Sequence, residues 1–184
     1  MSILGHTETE KSNFAKYNLT ENKWFYNNHE LELETLILDH ESLKTGWFDI
    51  QKGKTPDISW DKLLGEKGPR PSNQHNRGFS VKIKPKGYGW AEWTTTSKGC
   101  ILGFDDVLVD VWAELPFHQN QLPIIRYDGS SEIQLGPYKT RKLKFELVGW
   151  SAKISGTNDT EPLNDSHMVI SIPVPSETEL NHPF

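Results

Sequence analysis

The sequence predicts a mainly β domain, an antiparallel five-stranded Greek-key barrel with one central helix, an N-terminal hairpin extension and a disordered acidic C-terminal tail. Three observations predict it. Several short segments alternate apolar and polar residues with period two. A single segment carries helical periodicity, and it falls between the third and fourth strands of the expected barrel. From Ser155 onward the pattern gives way to Gly, Thr, Asn, Asp, Pro and Ser. The 184 residues are therefore read as a flexible N-terminus over 1–22, a barrel over 23–154 and a tail over 155–184.

In chain order, Lys23–Tyr26, the pair Asn27-Asn28 and Leu31–Leu38 read as a hairpin, with the asparagines supplying the turn. Ser42–Ile50, holding Thr45-Gly46-Trp47-Phe48, reads as a strand in which Gly46 marks a bulge or a close backbone approach. Residues 51–77 form a long loop rich in Lys, Gly, Pro, Asn and Ser; loops of that length are functional or disordered. Gly78–Lys84 alternates cleanly, with Phe79, Val81 and Ile83 inward and Lys82 and Lys84 outward. The turn Pro85–Gly89 leads into a return strand over Trp90–Thr96. Phe104, Val107, Leu108, Val111, Trp112 and Leu115 share one helical face, with Asp105 and Asp106 in the first turn and Pro116 as the stop. Leu122–Tyr127 and Lys142–Trp150 close the barrel, joined around Asp128-Gly129-Ser130.

Charge is distributed unevenly. The net charge is -5. Asp159, Glu161, Asp165, Glu177 and Glu179 lie in a tail without Lys or Arg, and they account for the whole excess. Residues 52–98, by contrast, carry ten Lys/Arg against four Asp/Glu. A basic middle and an acidic end accompany nucleic-acid contact, although a solvated surface gives the same pattern.

Single-stranded nucleic acid requires cations that follow its backbone and aromatic faces on which bases stack. The candidate contacts are Trp47, Trp60, Arg70, Arg77, Lys82, Lys84, Lys86, Tyr88, Trp90 and Trp93. Phe79 and Trp112 are assigned to the core by alternation and helix phase, whereas the glycines around Tyr88 and Trp90 favour exposure. A second candidate site is the C-terminal run Glu177–Phe184, an acidic segment closing on an apolar side chain and a carboxylate.

This arrangement resembles bacterial and bacteriophage single-stranded DNA-binding proteins, in which an oligonucleotide-binding (OB) barrel precedes an acidic tail ending in Pro-Phe. Pro183-Phe184 matches the tip, and Glu177 and Glu179 stand where such tails carry aspartates. Thr45-Gly46-Trp47, Arg77-Gly78-Phe79-Ser80-Val81 and Val148-Gly149-Trp150 are similar to landmarks of a phage-type body. The linker is short, lacks a Gly/Gln-rich stretch, and the tip holds only two carboxylates. The resemblance implies sequence-independent single-stranded DNA binding in replication and recombination. It further implies that replication and repair proteins are recruited through Glu177, Glu179, Pro183 and Phe184.

Other classes fit less well. There is no Gly-rich phosphate loop, no GxSxG and no HExxH, and the seven histidines show no metal-ligand spacing. Cys100 and His118 have nothing to orient them as nucleophile and base; a small buried thiol is the simpler reading. The expectation is a non-enzymatic protein without cofactor or metal. The opening Met1–His6 lacks the basic start and apolar run of a secretory signal, and no stretch reaches the roughly 20 apolar residues of a span, so cytoplasmic residence is expected. Homo-oligomerisation stays open. The alternative function is a carbohydrate-binding or virion β-sandwich that uses the tryptophans as a ligand platform.

Overall fold

The structure, a computed structural model, describes residues 12–153. They form a mainly β fold with one α-helix, and the sheet is open and curled. Its strands are β1 (Phe14–Asn18), β2 (Lys23–Tyr26), β3 (His29–Leu31), β4 (Thr35–Asp49), β5 (Asp57–Trp60), β6 (Asn76–Pro85), β7 (Ala91–Thr95), β8 (Gln121–Leu135) and β9 (Tyr138–Ala152). The helix α1 (Lys98–Glu114) lies between β7 and β8. Spatial order is β3-β2-β1-β7-β6-β4-β8-β9, with β5 added to β4. The strand number is thus nine among the described residues rather than five. Every pairing is antiparallel except β1 with β7, which is parallel.

Strand β4 organises the curl. Its first half pairs with β8, its second half with β5, and β6 runs along both. The register to β6 breaks between Asp39 and Lys44. Ser42 fills the gap: its hydroxyl accepts from the Lys82 N–H at 2.8 Å and donates to the Asp39 carbonyl at 2.7 Å. The bulge satisfies backbone groups that the broken ladder would orphan, and it lets β4 bend. The two expected strands at 31–38 and 42–50 are consequently one long bent strand. The Asn27–Asn28 hairpin is present, with φ of 47° and 67°, but its second strand is only β3.

The curled sheet wraps an aromatic core. Trp24 of β2 meets Trp93 of β7 at 5.0 Å, Tyr127 of β8 at 5.8 Å and Phe145 of β9 at 6.5 Å between ring centroids. Tyr17 of β1 donates to the Ser130 hydroxyl of β8 at 3.2 Å. The two ends of the sheet therefore meet through side chains, without a backbone ladder. β1 lies inside the stretch expected to be a polar N-terminus (1–22), and it occupies the free edge of β7.

Helix α1 covers β9. Gly99 and Gly103 face the β9 backbone so closely that an added Cβ would lie 1.9 Å from the Arg141 carbonyl oxygen and 2.2 Å from that of Leu143. The helix starts at Lys98, six residues earlier than its apolar periodicity suggests, with Ser97 as N-cap. Its buried face is Gly99, Cys100, Gly103, Phe104, Val107 and Val111. Two expectations are corrected by the helix's start and phase, and a third by the β8–β9 register. Trp112 is half-exposed rather than core, because the glycine stripe turns the buried face away from it. Asp105 and Asp106 sit in mid-helix, where Asp106 pairs with Lys142 at 2.6 Å. The β8–β9 connection is at Gly136-Pro137, and Asp128–Ser130 is a bulge within β8 with Gly129 at φ 81°. No helix among the described residues is long and apolar enough to cross a membrane.

Gly103→Ala separates two opposed effects. Helix propensity alone would stabilise by about 1 kcal/mol. The steric conflict with Leu143 is expected to win, lowering unfolding free energy by about 1–3 kcal/mol in urea titrations.

Candidate nucleic-acid interface

The outer face of β4, β5, β6 and β7 follows from alternation. Phe79, Val81 and Ile83 of β6 point into the core, so Gly78, Ser80, Lys82 and Lys84 face out. Register places Lys44 beside Ser80 and Gly46 beside Gly78 on that face, with Trp60 of β5 paired to Gly46. The two facing glycines are sterically required. A Cβ on Gly46 would lie 2.6 Å from the Ser59 carbonyl oxygen, and one on Gly78 would lie 2.5 Å from that of Thr95. Their absence of side chains lets β5 and the end of β7 approach closely.

Trp60 stands over this glycine floor. Its ring is 43 % exposed, meets buried Phe48 edge-on at 5.3 Å, and has the Lys44 Nζ 5.7 Å from its centroid. An exposed indole braced by a buried ring, with a mobile ammonium over its face, can stack a base once the lysine moves aside to a phosphate.

Trp47 faces the other way. It is 8 % exposed, and its Nε1 donates to the Gly68 carbonyl at 2.9 Å. Over the indole gather Lys67 Nζ at 5.1 Å, Arg70 at 5.6 Å and Arg77 at 5.7 Å. The expected base contact by Trp47 is corrected: the ring is a buried platform for cations.

The long loop is an ordered strap around Asp61. Asp61 accepts from Arg77 Nη1 at 2.7 Å, from Arg77 Nη2, from the Thr45 hydroxyl and from the Gly68 N–H at 3.3 Å. Its side chain is buried, and the Arg77 guanidinium holds the carboxyl well below its usual range, at about 2. Arg77 is thereby committed to structure. Arg70 donates from Nε to the His75 carbonyl at 2.7 Å and from Nη2 to that of Asn73 at 2.8 Å. Lys44, Lys67 and Arg70 are exposed and have no carboxylate partner among the described residues.

The remaining candidates extend along β6 or leave the surface. Lys82 stands in register between Asp39 and Glu92, which dilute its charge. Lys84 lies further along the same face, and Lys86 is 3.9 Å from Glu34. Tyr88 is half-exposed in the turn, its ring 4.8 Å from Tyr26, while Trp90 is half-buried. Trp93 is 1 % exposed and packed against Phe79 and Phe104, so its assignment as a contact is corrected: alternation along β7 turns it inward. At roughly 3.3 Å per residue, Gly78 and Lys84 are about 20 Å apart along the outward face of β6, and Lys86 and Tyr88 lie in the turn beyond it. Glu177, Glu179, Pro183 and Phe184 lie outside the described residues.

Lys44, Lys67 and Asp61 were not legible as site residues. Their importance arises from β4–β5 register and from the loop's fold over Trp47, neither of which leaves a local pattern. Cys100 is buried, which pushes its thiol up, and His118 is at the opposite end of α1, stacked on Trp150 at 4.3 Å. Comparison with family models, curated proteins and solved structures finds no match to this chain.

Removing the carboxylate at Asp61 leaves Arg77 unpaired. Asp61→Ala is expected to cost about 3 kcal/mol in denaturant unfolding. Because the native carboxyl titrates below its unfolded value, its contribution is present above pH ~4 and is lost as pH falls towards ~2. Melting curves of Asp61→Asn should start lower and change less across that window than the parent's.

Proposed function

We propose that this chain binds single-stranded DNA without sequence preference, on the outer face of β4–β7. The observation that carries the reading is Trp60: an exposed indole with the Lys44 ammonium over its ring, on the sheet face that Lys82 and Lys84 share. Each base has a π-face, so stacking on Trp60 and Tyr88 tolerates any sequence. Phosphates would run past Lys44, with Lys82, Lys84 and Lys86 continuing the path; Lys67 and Arg70, gathered over Trp47 on the other side of the sheet, would be reached only by a strand that turns over the β5 edge. Arg77, Trp47 and Trp93 support the face from behind.

An OB-type ancestry supports the same reading. In this proposal β4, β6, β7, β8 and β9 are the five barrel strands. The antiparallel pairs β4–β6, β6–β7, β4–β8 and β8–β9, and the helix between β7 and β8, are consistent with it. The barrel's parallel closing pair would be replaced by β1 on β7 and by α1 on β9. The cytoplasmic replication role and recruitment of repair proteins by Glu177, Glu179, Pro183 and Phe184 belong to this proposal too.

Titration with oligo(dT), followed by tryptophan fluorescence, tests it. Binding should weaken as salt rises. Trp60→Ala should lose about 1–3 kcal/mol, roughly 5- to 150-fold. Lys44→Ala with Lys82→Ala should flatten the log–log salt slope by about 1.4. Absence of salt-sensitive binding, or an unaltered Trp60→Ala, would defeat the reading and favour the carbohydrate or virion alternative.

A further inference from the structure

The solvent side of α1 sets exposed apolar side chains among carboxylates. Opposite the buried Cys100, Phe104, Val107 and Val111 stand Leu102, Val109, Trp112 and Ala113, and the following turn adds Phe117. Val109 is 67 % exposed and Phe117 82 % exposed, while Leu102 and Trp112 are each about two-fifths exposed. The helix spans about 25 Å at 1.5 Å per residue; Val109, Trp112 and Ala113 form a patch towards its C-terminal end that Phe117 extends, and Asp105 and Asp106 stand between this patch and Leu102. Trp112 is braced edge-on by His40, with ring centroids 6.2 Å apart, which holds the indole at the surface.

The charges beside the patch have one sign. After Lys98 the helix contains Asp105, Asp106, Asp110 and Glu114 and no base. Asp106 is paired with Lys142, and Glu114 accepts from Trp150 Nε1 at 3.3 Å. Asp105 and Asp110 flank Val109 and have no cationic partner among the described residues. A second copy of this face would bring the same carboxylates into opposition. The chain's own residues 155–184 carry five carboxylates and no Lys or Arg, so charge disfavours them as well.

We infer that this face of α1 is a docking surface for a basic amphipathic segment of another protein, one that lays an apolar stripe on Leu102, Val109, Trp112 and Phe117 and sets Lys or Arg against Asp105 and Asp110. It uses none of the residues assigned to DNA. Apolar anchors with a rim of opposite charge are the recognition mode in which hydrophobic burial supplies affinity and charge supplies selectivity.

The probe is a synthetic amphipathic peptide of about 18 residues with leucine on one helical face and lysine on the other, together with its glutamate-for-lysine twin. Each is titrated into isotope-labelled full-length protein. The lysine peptide is expected to shift the amide signals of residues 102–117. Val109→Ser/Phe117→Ser and Asp105→Asn/Asp110→Asn should each weaken it by about tenfold or more, with the fold intact because all four positions are exposed. Equal binding of the glutamate twin, shifts confined to other residues, or loss in fewer than both double variants would overturn the inference. A parent protein that sediments as a dimer and becomes monomeric in Val109→Ser/Phe117→Ser would overturn it in favour of a second copy.

Discussion

The contact on which this fold rests is the seat of α1 against the backbone of β9. Gly99 and Gly103 bring helix and strand together at a distance that no side chain permits, and the helix thereby covers the strand edge that β8 leaves free. With that edge sealed by a helix, and the edge of β7 occupied by β1, the sheet can curl without closing its own ladder. Trp24 then sits where β2, β7, β8 and β9 converge, and its ring contacts substitute for the hydrogen bonds of a closed barrel. Large aromatic surface buried at one point gives the strongest non-directional restraint on such a seam.

The face proposed for DNA inherits its shape from the same logic of close approach. Gly46 and Gly78 face each other across β4 and β6, and their missing side chains allow β5 to lie on the sheet and carry Trp60 outward over Phe48. Asp61, the next residue, reverses direction: it is buried among Arg77, Thr45 and Gly68 and fixes the strap that brings Lys67 and Arg70 forward. An exposed ring and a buried carboxylate at adjacent positions thus couple the platform to the cations. Arg77 illustrates the division of labour, since its charge is neutralised by Asp61 while the neighbouring cations remain available.

Where local periodicity was strong, the sequence was readable. Phe79, Val81 and Ile83 alternate with Lys82 and Lys84, and the strand follows; Asn27-Asn28 is a turn because asparagine tolerates positive φ. One helix between the third and fourth expected strands was legible from its valines and phenylalanine. Its true start was not, because the turn Lys98–Ile101 buries Gly99 and Cys100, which contribute little to an apolar pattern. β1 and β5 were hidden for a different reason: each is short, and each is held by pairing with a distant strand rather than by its own composition. Among the candidate site residues, Trp60, Arg70 and Tyr88 lie exposed, as their type and context suggest. Trp93 and Trp47 were not distinguishable from them, since a tryptophan's exposure depends on which face of a strand it occupies and on what folds over it. Lys44, Lys67 and Asp61 acquired their roles only through tertiary contacts.

The face assigned to DNA is most directly checked by photocrosslinking a 5-iododeoxyuridine-substituted single strand to the full-length protein and mapping the attached peptides by mass spectrometry. Adducts at Trp60 and along the outward face of β6, with Tyr88 as the distal point, are the predicted result. Adducts confined to α1 or the β8–β9 hairpin would contradict it, because they would place the strand away from Trp60 and Lys44, on which the assignment depends.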